Sequence, residues 1–173
     1  MSNRIRSRRG FTLVEVMTTA TLIAGLGGST AFVNPKDKAQ QLVCLQHLQV
    51  IGQTFQMQDL QGQPLPPACF FPKTPDAANS LPKLMGNAVQ EQAWLCPCAP
   101  VKLREHKITY LYNSKLAGKQ LSAIPDASHT WLLADLCVVS SNLPGMHNDG
   151  ANILFADGQA RWLSKAQLPD LTK

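Results

Sequence analysis

The segment Ala151-Asn-Ile-Leu-Phe-Ala-Asp-Gly-Gln-Ala-Arg-Trp-Leu163 gives the clearest local indication of the fold. Two alternating apolar runs, 151–156 and 159–163, flank the dipeptide Asp157-Gly158. Asp-Gly between such runs is typical of a two-residue hairpin turn, because both residues tolerate a positive φ. The pattern therefore predicts two antiparallel strands joined by a tight turn at Asp157-Gly158.

Two more segments rich in β-forming residues precede this hairpin. Ile108 to Tyr112 alternates in hydropathy, and Thr130 to Leu136 is typical of a more buried strand. With the hairpin, they predict an antiparallel sheet of three or four strands.

An amphipathic helix is predicted on the N-terminal side of the sheet, over residues 34–60. Asn34-Pro35 suits a helix start, since Asn caps helices and Pro fits the first turn. The apolar residues that follow recur with the period of one helix face, and glutamines occupy the other face. Residues 62–82 contain six prolines and predict an irregular connection. The face expected to pack on the sheet consists of Leu42, Leu45, Leu48, Ile51 or Gly52, and Phe55.

Residues 11–33 form an apolar stretch without Lys, Arg, Asp or Pro, and Glu15 is its one ionisable side chain. Its length matches a hydrocarbon core of roughly 30 Å, so a transmembrane helix is predicted. A cleavable secretory signal and a soluble buried helix are the competing interpretations. Under the positive-inside rule, four arginines keep the N-terminus in the cytoplasm and place the rest of the chain across the membrane. They are Arg4, Arg6, Arg8 and Arg9.

The net positive charge of the chain is concentrated in its first ten residues. The 173 residues carry a net charge of +5, but four of the 16 basic residues precede position 10, which leaves 12 basic against 11 acidic residues. The near-neutral remainder has no basic stripe with aromatic residues, so no nucleic-acid partner is expected. The cysteines and histidines lie in no nucleophile motif, so an enzyme is not expected. The length excludes large barrels and multidomain enzymes.

Glu15 calls for a partner, since a carboxylate inside a bilayer costs about 3 kcal/mol. If the chain were cut between Gly10 and Phe11, the new amine would lie one helical turn from Glu15. The amine of a neighbouring copy could then pair with the carboxylate. Alternatively, Glu15 lies at the interface and snorkels to water.

The stretch Arg8-Arg9-Gly10-Phe11-Thr12-Leu13-Val14-Glu15-Val16 resembles the class III signal of type IV pilins and type II secretion pseudopilins. The resemblance implies that a prepilin peptidase cuts after Gly10 and methylates the amine of Phe11, and that Glu15 sets the assembly register. It also implies a pilin-like α+β fold, with a long N-terminal helix, transmembrane in its first half, packed on a small antiparallel sheet. The implied domains are a cleaved leader (1–10), a transmembrane helix (11–33), an amphipathic helical stalk (34–60) and a periplasmic globular α+β domain (61–173).

The implied function is that of a structural pseudopilin subunit in a type II secretion-like or type IV pilus-like filament. Its implied partners are the prepilin peptidase, other pseudopilin copies, the bacterial inner membrane and the secretion machinery. The alternative is a membrane-anchored envelope protein that recognises cargo or a ligand through its C-terminal loop.

A second resemblance covers most of residues 42–163. His147, nine residues and then Asp157-Gly158 are similar to the H-X9-DG signature of prepilin-type processing-associated proteins. That family often has a His after Asp-Gly, where this chain has Gln159. Further segments similar to that family are Cys44-Leu45-Gln46-His47-Leu48, Leu95-Cys96-Pro97 and Tyr112-Asn113-Ser114-Lys115-Leu116-Ala117-Gly118.

The loop from Met146 to Asn152 is rich in oxygen ligands. Major pseudopilins hold calcium in a C-terminal loop, so the first resemblance implies a Ca²⁺ site, and hard cations prefer such ligands. The favoured interpretation is instead that His147 and Asp149 stabilise the loop before the hairpin while Asp157 serves the turn. No other cofactor is expected. The candidate calcium ligands are Asp135, Asp149 and Asn152, with His147 or Asp157 beside them.

Five cysteines follow the apolar stretch, and an oxidising envelope compartment would favour disulfides among them. The odd number leaves at least one without an intramolecular partner. We expect one bridge from Cys69 or Cys44 to either Cys96 or Cys98, with the pairing left open. The alternative is a zinc site that contains Cys96, Cys98, His106 and a fourth ligand.

Overall fold

The computed structural model describes residues 35–139 and 147–168. Its helices are α1 (Pro35–Leu60), α2 (Leu81–Met85) and α3 (Val101–Glu105), and its strands are β1 (Tyr110–Tyr112), β2 (Trp131–Asp135), β3 (Gly150–Phe155) and β4 (Ala160–Ser164). Short 3₁₀ helices occur at Gly86–Ala88, Glu91–Trp94, Ser114–Leu116, Leu121–Ala123, Leu136–Val139 and Lys165–Gln167.

The predicted fold class is wrong. A pilin-like fold needs a long helix whose first half crosses the membrane, yet none of the helices within 35–139 and 147–168 is long and apolar enough to do so. The helix α1 from Pro35 to Leu60 contains seven glutamines, which make it too polar for a hydrocarbon core. The described part of the chain combines this 26-residue helix with a small four-stranded antiparallel sheet. The predicted leader (1–10), the predicted transmembrane helix (11–33) and the residues Gly10, Phe11 and Glu15 lie outside the described residues.

The four strands form a meander in the order β1-β2-β3-β4, and every neighbouring pair is antiparallel. All predicted strands are confirmed, although β1 and β2 are shorter than the segments that predicted them. Tyr110 of β1 lies opposite Asp135 of β2, which places both residues at the same end of the sheet. The predicted irregular connection is also confirmed, since the chain from Leu60 to α2 contains no helix or strand. Part of it covers the outer strand, where Tyr112 N donates to Phe70 O.

The hairpin between β3 and β4 is confirmed, but its turn differs from the prediction. Only Gly158 has a positive φ, of 80°. Gly158 N donates to Phe155 O over 3.0 Å, and Phe155 N donates to Gln159 O over 3.0 Å. The connection is therefore a three-residue loop, in which a type I turn is followed by a left-handed glycine. Asp157 acts through its carboxylate, which accepts from Gln159 N over 2.9 Å.

α1 packs on β3 and β4 through one face. The prediction of that face is right for Leu48, Ile51, Gly52 and Phe55 but wrong for Leu42, which is 58% exposed. Cys44 takes the inward position instead. A side chain at position 52 would meet the sheet, because a Cβ there would lie 2.8 Å from Leu154 Cδ1.

Strands β1, β2 and β3 are buried on both faces of the sheet, whereas β4 is partly exposed. The face toward α1 carries Tyr110, Tyr112, Leu133 and Leu154, in one core with Leu48, Ile51 and Phe55. The opposite face carries a smaller cluster of Leu111, Ala134, Ile153 and Phe155. Phe70 and Trp131 pack against this cluster, and their rings are edge to face with each other.

Candidate functional site

Four buried side chains meet between α1 and the end of the sheet, and we call them the four-residue cluster: Cys44, Cys96, Asp135 and His147. Their ligand atoms all lie within 4.8 Å of one another. None of these residues is more than 1% exposed. They come from α1, the loop after the 3₁₀ helix Glu91–Trp94, the end of β2 and the turn before β3, so the tertiary fold alone brings them together.

Thr109 fixes the loop that carries Cys96. Its hydroxyl accepts from Cys96 N over 2.7 Å and donates to Trp94 O over 3.0 Å. Thr109 is fully buried and directly precedes β1. These two hydrogen bonds therefore fix the position of the Cys96 backbone relative to the sheet.

Asp135 is held by its neighbours in the sheet and faces Cys44 on α1. Its Oδ2 atom accepts from Asn152 N over 2.7 Å. Cys44 Sγ lies 3.5 Å from Asp135 Oδ1 and 3.2 Å from the hydroxyl of Tyr110. One carboxylate thus links β2, β3 and the first half of α1.

The His147 side chain completes the cluster. Its Nε2 atom lies 3.3 Å from Cys96 Sγ and 3.3 Å from Asp135 Oδ2. A single ring nitrogen therefore faces a sulfur and a carboxylate oxygen at once.

A tight turn aims His147 inward. Asn148 and Asp149 have φ values of 50° and 58°, and Gly150 N donates to His147 O over 3.0 Å. Two successive left-handed residues between bridged partners fit a type I′ turn, and Asn and Asp tolerate this conformation. The turn is pinned from β4, because Trp162 Nε1 donates to His147 O over 2.8 Å.

Burial and neighbouring charges shift the titration of the cluster. Burial alone would lower the pKa of His147, but the hydrogen bond with Asp135 and the negative charge of that carboxylate outweigh burial and raise the pKa to about 9. Burial, followed by the hydrogen bond with Cys96 and the charge of Asp135, raises the pKa of the Cys44 thiol. Cys44 is therefore a neutral thiol at pH 7 unless a cation stabilises its thiolate.

Two buried polar atoms of this region have no hydrogen-bond partner within the described ranges: His147 Nδ1 and Asn152 Oδ1. Each such atom costs about 1–3 kcal/mol. These unpaired atoms lower the free energy of unfolding if the cluster serves only as a hydrogen-bonded part of the core.

The structure separates the residues of the H-X9-DG motif. His147 precedes β3 and lies in the cluster, while Asp157 and Gly158 follow β3 and form the hairpin loop. That loop packs on α1, where Gln56 Nε2 donates to Asp157 O over 3.1 Å. Asp157 also forms an ion pair with Arg161.

The residues predicted for calcium are only partly together. Asp135 and Asn152 are buried side by side, but Asp149 is exposed and does not belong to the cluster. The thiols that accompany Asp135 are soft ligands, whereas calcium prefers oxygen. The calcium site stays a prediction that the described geometry does not favour.

None of the five cysteines, all of which lie within the described ranges, forms a disulfide in the structure. Cys44 and Cys96 lie together in the cluster, which is one of the pairings left open above, and the disulfide stays a prediction. Cys98 Sγ instead lies 3.6 Å from Gln40 Oε1, and His106 is exposed. The described residues therefore do not gather Cys96, Cys98 and His106 as a zinc site.

Sequence reasoning missed the partnership of Cys44 and Cys96 with His147. A signal was present, because these three residues lie in the segments that resemble the H-X9-DG family. Comparison of the chain with protein-family models, with curated proteins and with solved structures found no match. The interpretation of the site therefore depends on the residues of this chain.

Proposed function

We propose that the protein is a structural filament subunit of the pseudopilin class, processed after Gly10 by a prepilin peptidase at the inner membrane. The domain described above would lie on the periplasmic side and would assemble with other copies of the chain. The processing part of the proposal is supported by the sequence from Arg8 to Val16. The role is mechanical rather than catalytic.

The observation that carries the assembly part of the proposal is an apolar stripe on the outward face of α1. Its five side chains are 41% to 85% exposed. At about 100° per residue, they fall within an arc of about 100°, on the side of the helix opposite its buried face. The stripe consists of Leu42, Val43, Val50, Met57 and Leu60.

A second copy of the chain is the occupant that the stripe fits best. Val43, Val50 and Met57 recur every seven residues, which is the spacing that helix–helix seams use. No Lys, Arg, Asp or Glu occurs between Ala39 and Gln58, so packing two such helices buries no unpaired formal charge. Exposed apolar patches of this kind mark interaction surfaces.

Processing is tested by mass spectrometry of the mature protein from cells with an active prepilin peptidase. We expect a chain that begins at a methylated Phe11. A Glu15→Ala variant should be processed and yet fail to enter filaments. An intact Met1 in such cells would contradict the proposal and favour the envelope-binding alternative.

Assembly through the stripe is tested with a Val50→Lys/Met57→Lys double variant. Both side chains are exposed, so the fold should tolerate the change within about 0.5 kcal/mol per site, while burial of two lysines should block helix contact. Val101→Lys is the control, since Val101 is 59% exposed and belongs to α3 rather than to α1. Crosslinks between copies in the membrane should be absent for the double variant and present for the control. Equal crosslinking of both variants would refute the assembly role of α1.

A further inference from the structure

We propose that Cys44, Cys96, Asp135 and His147 bind one Zn²⁺ ion in tetrahedral coordination, as a structural centre that fastens α1 to the sheet. The proposal is independent of filament assembly, because it depends on the inward face of α1 and not on the outward stripe.

Three distances within the cluster match the edges of a zinc tetrahedron. With sulfur at about 2.3 Å and nitrogen or oxygen at about 2.0–2.1 Å from the metal, ligand atoms lie about 3.3–3.8 Å apart. Nε2 of His147 lies 3.3 Å from both Cys96 Sγ and Asp135 Oδ2, and Cys44 Sγ lies 3.5 Å from Asp135 Oδ1. All four ligand atoms lie within 4.8 Å of one another, so coordination would require the more distant atoms to approach one another by up to about 1 Å.

The donor set selects the kind of metal. Two thiolates, one imidazole and one carboxylate suit a borderline cation with tetrahedral preference, which is the chemistry of Zn²⁺. Ca²⁺ and Mg²⁺ prefer six or more oxygen ligands and are disfavoured.

The closed surroundings point to a structural centre rather than a catalytic one. All four residues are at most 1% exposed, so no coordination position faces solvent. Catalytic zinc sites keep such a position open for water or substrate. Four ligands from four separate elements would instead cross-link the fold.

Zinc would also neutralise most of the negative charge that its ligands carry inside the core. Binding releases the two thiol protons and the proton that His147 carries at pH 7, because a ligating imidazole must be neutral, and the divalent cation then stabilises two thiolates and the carboxylate. The remaining negative charge faces two hydrogen-bond donors already in place, Asn152 N at Asp135 and the Tyr110 hydroxyl at Cys44. Outer partners of this kind orient metal ligands in zinc sites.

The test uses the full chain in detergent, reduced and freed of metal, and then titrated with Zn²⁺ or Co²⁺. We expect one Zn²⁺ per chain. Co²⁺ should give the intense visible bands of tetrahedral cobalt and a sulfur-to-cobalt charge-transfer band. The wild-type spectrum alone reports the thiolate ligands, so this arm does not depend on whether any variant folds.

Variants then assign the ligands. Cys44→Ser and Cys96→Ser should lose stoichiometric binding, while Cys69→Ser and His106→Asn are matched controls that should retain it. Tyr110→Phe keeps the aromatic ring in the core and removes only the outer hydroxyl, so its Zn²⁺ affinity should fall about 10–100-fold.

The proposal is overturned if the reduced chain binds no stoichiometric Zn²⁺ or if the bound Co²⁺ is octahedral. It is also overturned if binding is lost in Cys98→Ser and His106→Asn but kept in Cys44→Ser. A disulfide between Cys44 and Cys96 in the protein isolated from cells would equally overturn it, since that bond consumes both thiolates.

Discussion

Leu42 and Leu48 offer a direct test of how α1 is oriented on the sheet. Both residues match the apolar period of the helix, and the sequence predicts both in its packed face. In the structure Leu48 is fully buried, whereas Leu42 is 58% exposed. Truncation to alanine makes the same chemical change at both sites and has nearly the same effect on helix propensity.

The expected magnitudes differ by several fold. Leu48→Ala removes buried methyl groups and leaves a cavity between α1 and the sheet, which should lower the free energy of unfolding by about 2–5 kcal/mol. Leu42→Ala removes atoms that already contact water, so its effect should stay within about 0.5 kcal/mol. The free energy of unfolding of native domains is about 5–15 kcal/mol, so the loss expected for Leu48→Ala is a substantial part of it.

The measurement is denaturant and thermal unfolding of both full-chain variants at the same metal content, followed by circular dichroism. For a chain of this size, each kcal/mol shifts the melting temperature by about 2–4 °C, so Leu48→Ala should melt about 4–20 °C lower than the wild type. The denaturant slope should not change in either variant. Equal losses, or a larger loss for Leu42→Ala, would show that the helix is rotated and would refute the orientation that places Cys44 inward.

Two further predictions concern the turns that precede and follow β3. Gly158→Ala should destabilise the fold by about 1 kcal/mol more than Gly62→Ala in the same unfolding assay. Both glycines have a positive φ, but only a Cβ at 158 would displace the Gln56 side chain and its hydrogen bond; equal losses would contradict this. Trp162→Phe should cost about 1 kcal/mol, because it deletes the indole hydrogen bond to His147 O, and an unchanged unfolding midpoint would show that this bond does not hold the turn.

The sequence predicted the helix but not its exact orientation, for a specific physical reason. Leu42, Leu45 and Leu48 satisfy the helical period, and so do Cys44, Leu48 and Ile51. The predicted and the buried faces share Leu48, Ile51 and Phe55 and differ only toward the N-terminal end of the helix, where hydropathy alone favours leucine over Cys44. In the structure Cys44 rather than Leu42 faces inward, and its thiol lies beside Tyr110 and Asp135 at the polar end of the sheet.

For the hairpin too, the sequence pattern predicts the elements but not their detailed geometry. Alternation located β3 and β4 correctly, since each strand has a period of two. The sequence predicts the two-residue turn at Asp157-Gly158, yet that geometry occurs at Asn148-Asp149. Several residue pairs tolerate positive φ, so the strand register decides which of them adopts it.

The four-residue cluster could not be predicted from local spacing. Its members lie at positions 44, 96, 135 and 147, and no known metal motif has that spacing. Their meeting requires the orientation of α1, the register that places Tyr110 opposite Asp135, and the turn that aims His147 inward. Each of these is a long-range property of the fold.

The orientation of α1 connects the two proposals without making either depend on the other. Because successive helical residues are about 100° apart, turning Cys44 toward the sheet necessarily turns Val43, Val50 and Met57 toward solvent. The inward face can therefore bind zinc while the outward face contacts another copy. Val50→Lys/Met57→Lys should accordingly bind Zn²⁺ like the wild type, and loss of zinc in that variant would show that the two faces are energetically coupled. Intact zinc binding with lost crosslinking would show that one helix serves both purposes separately.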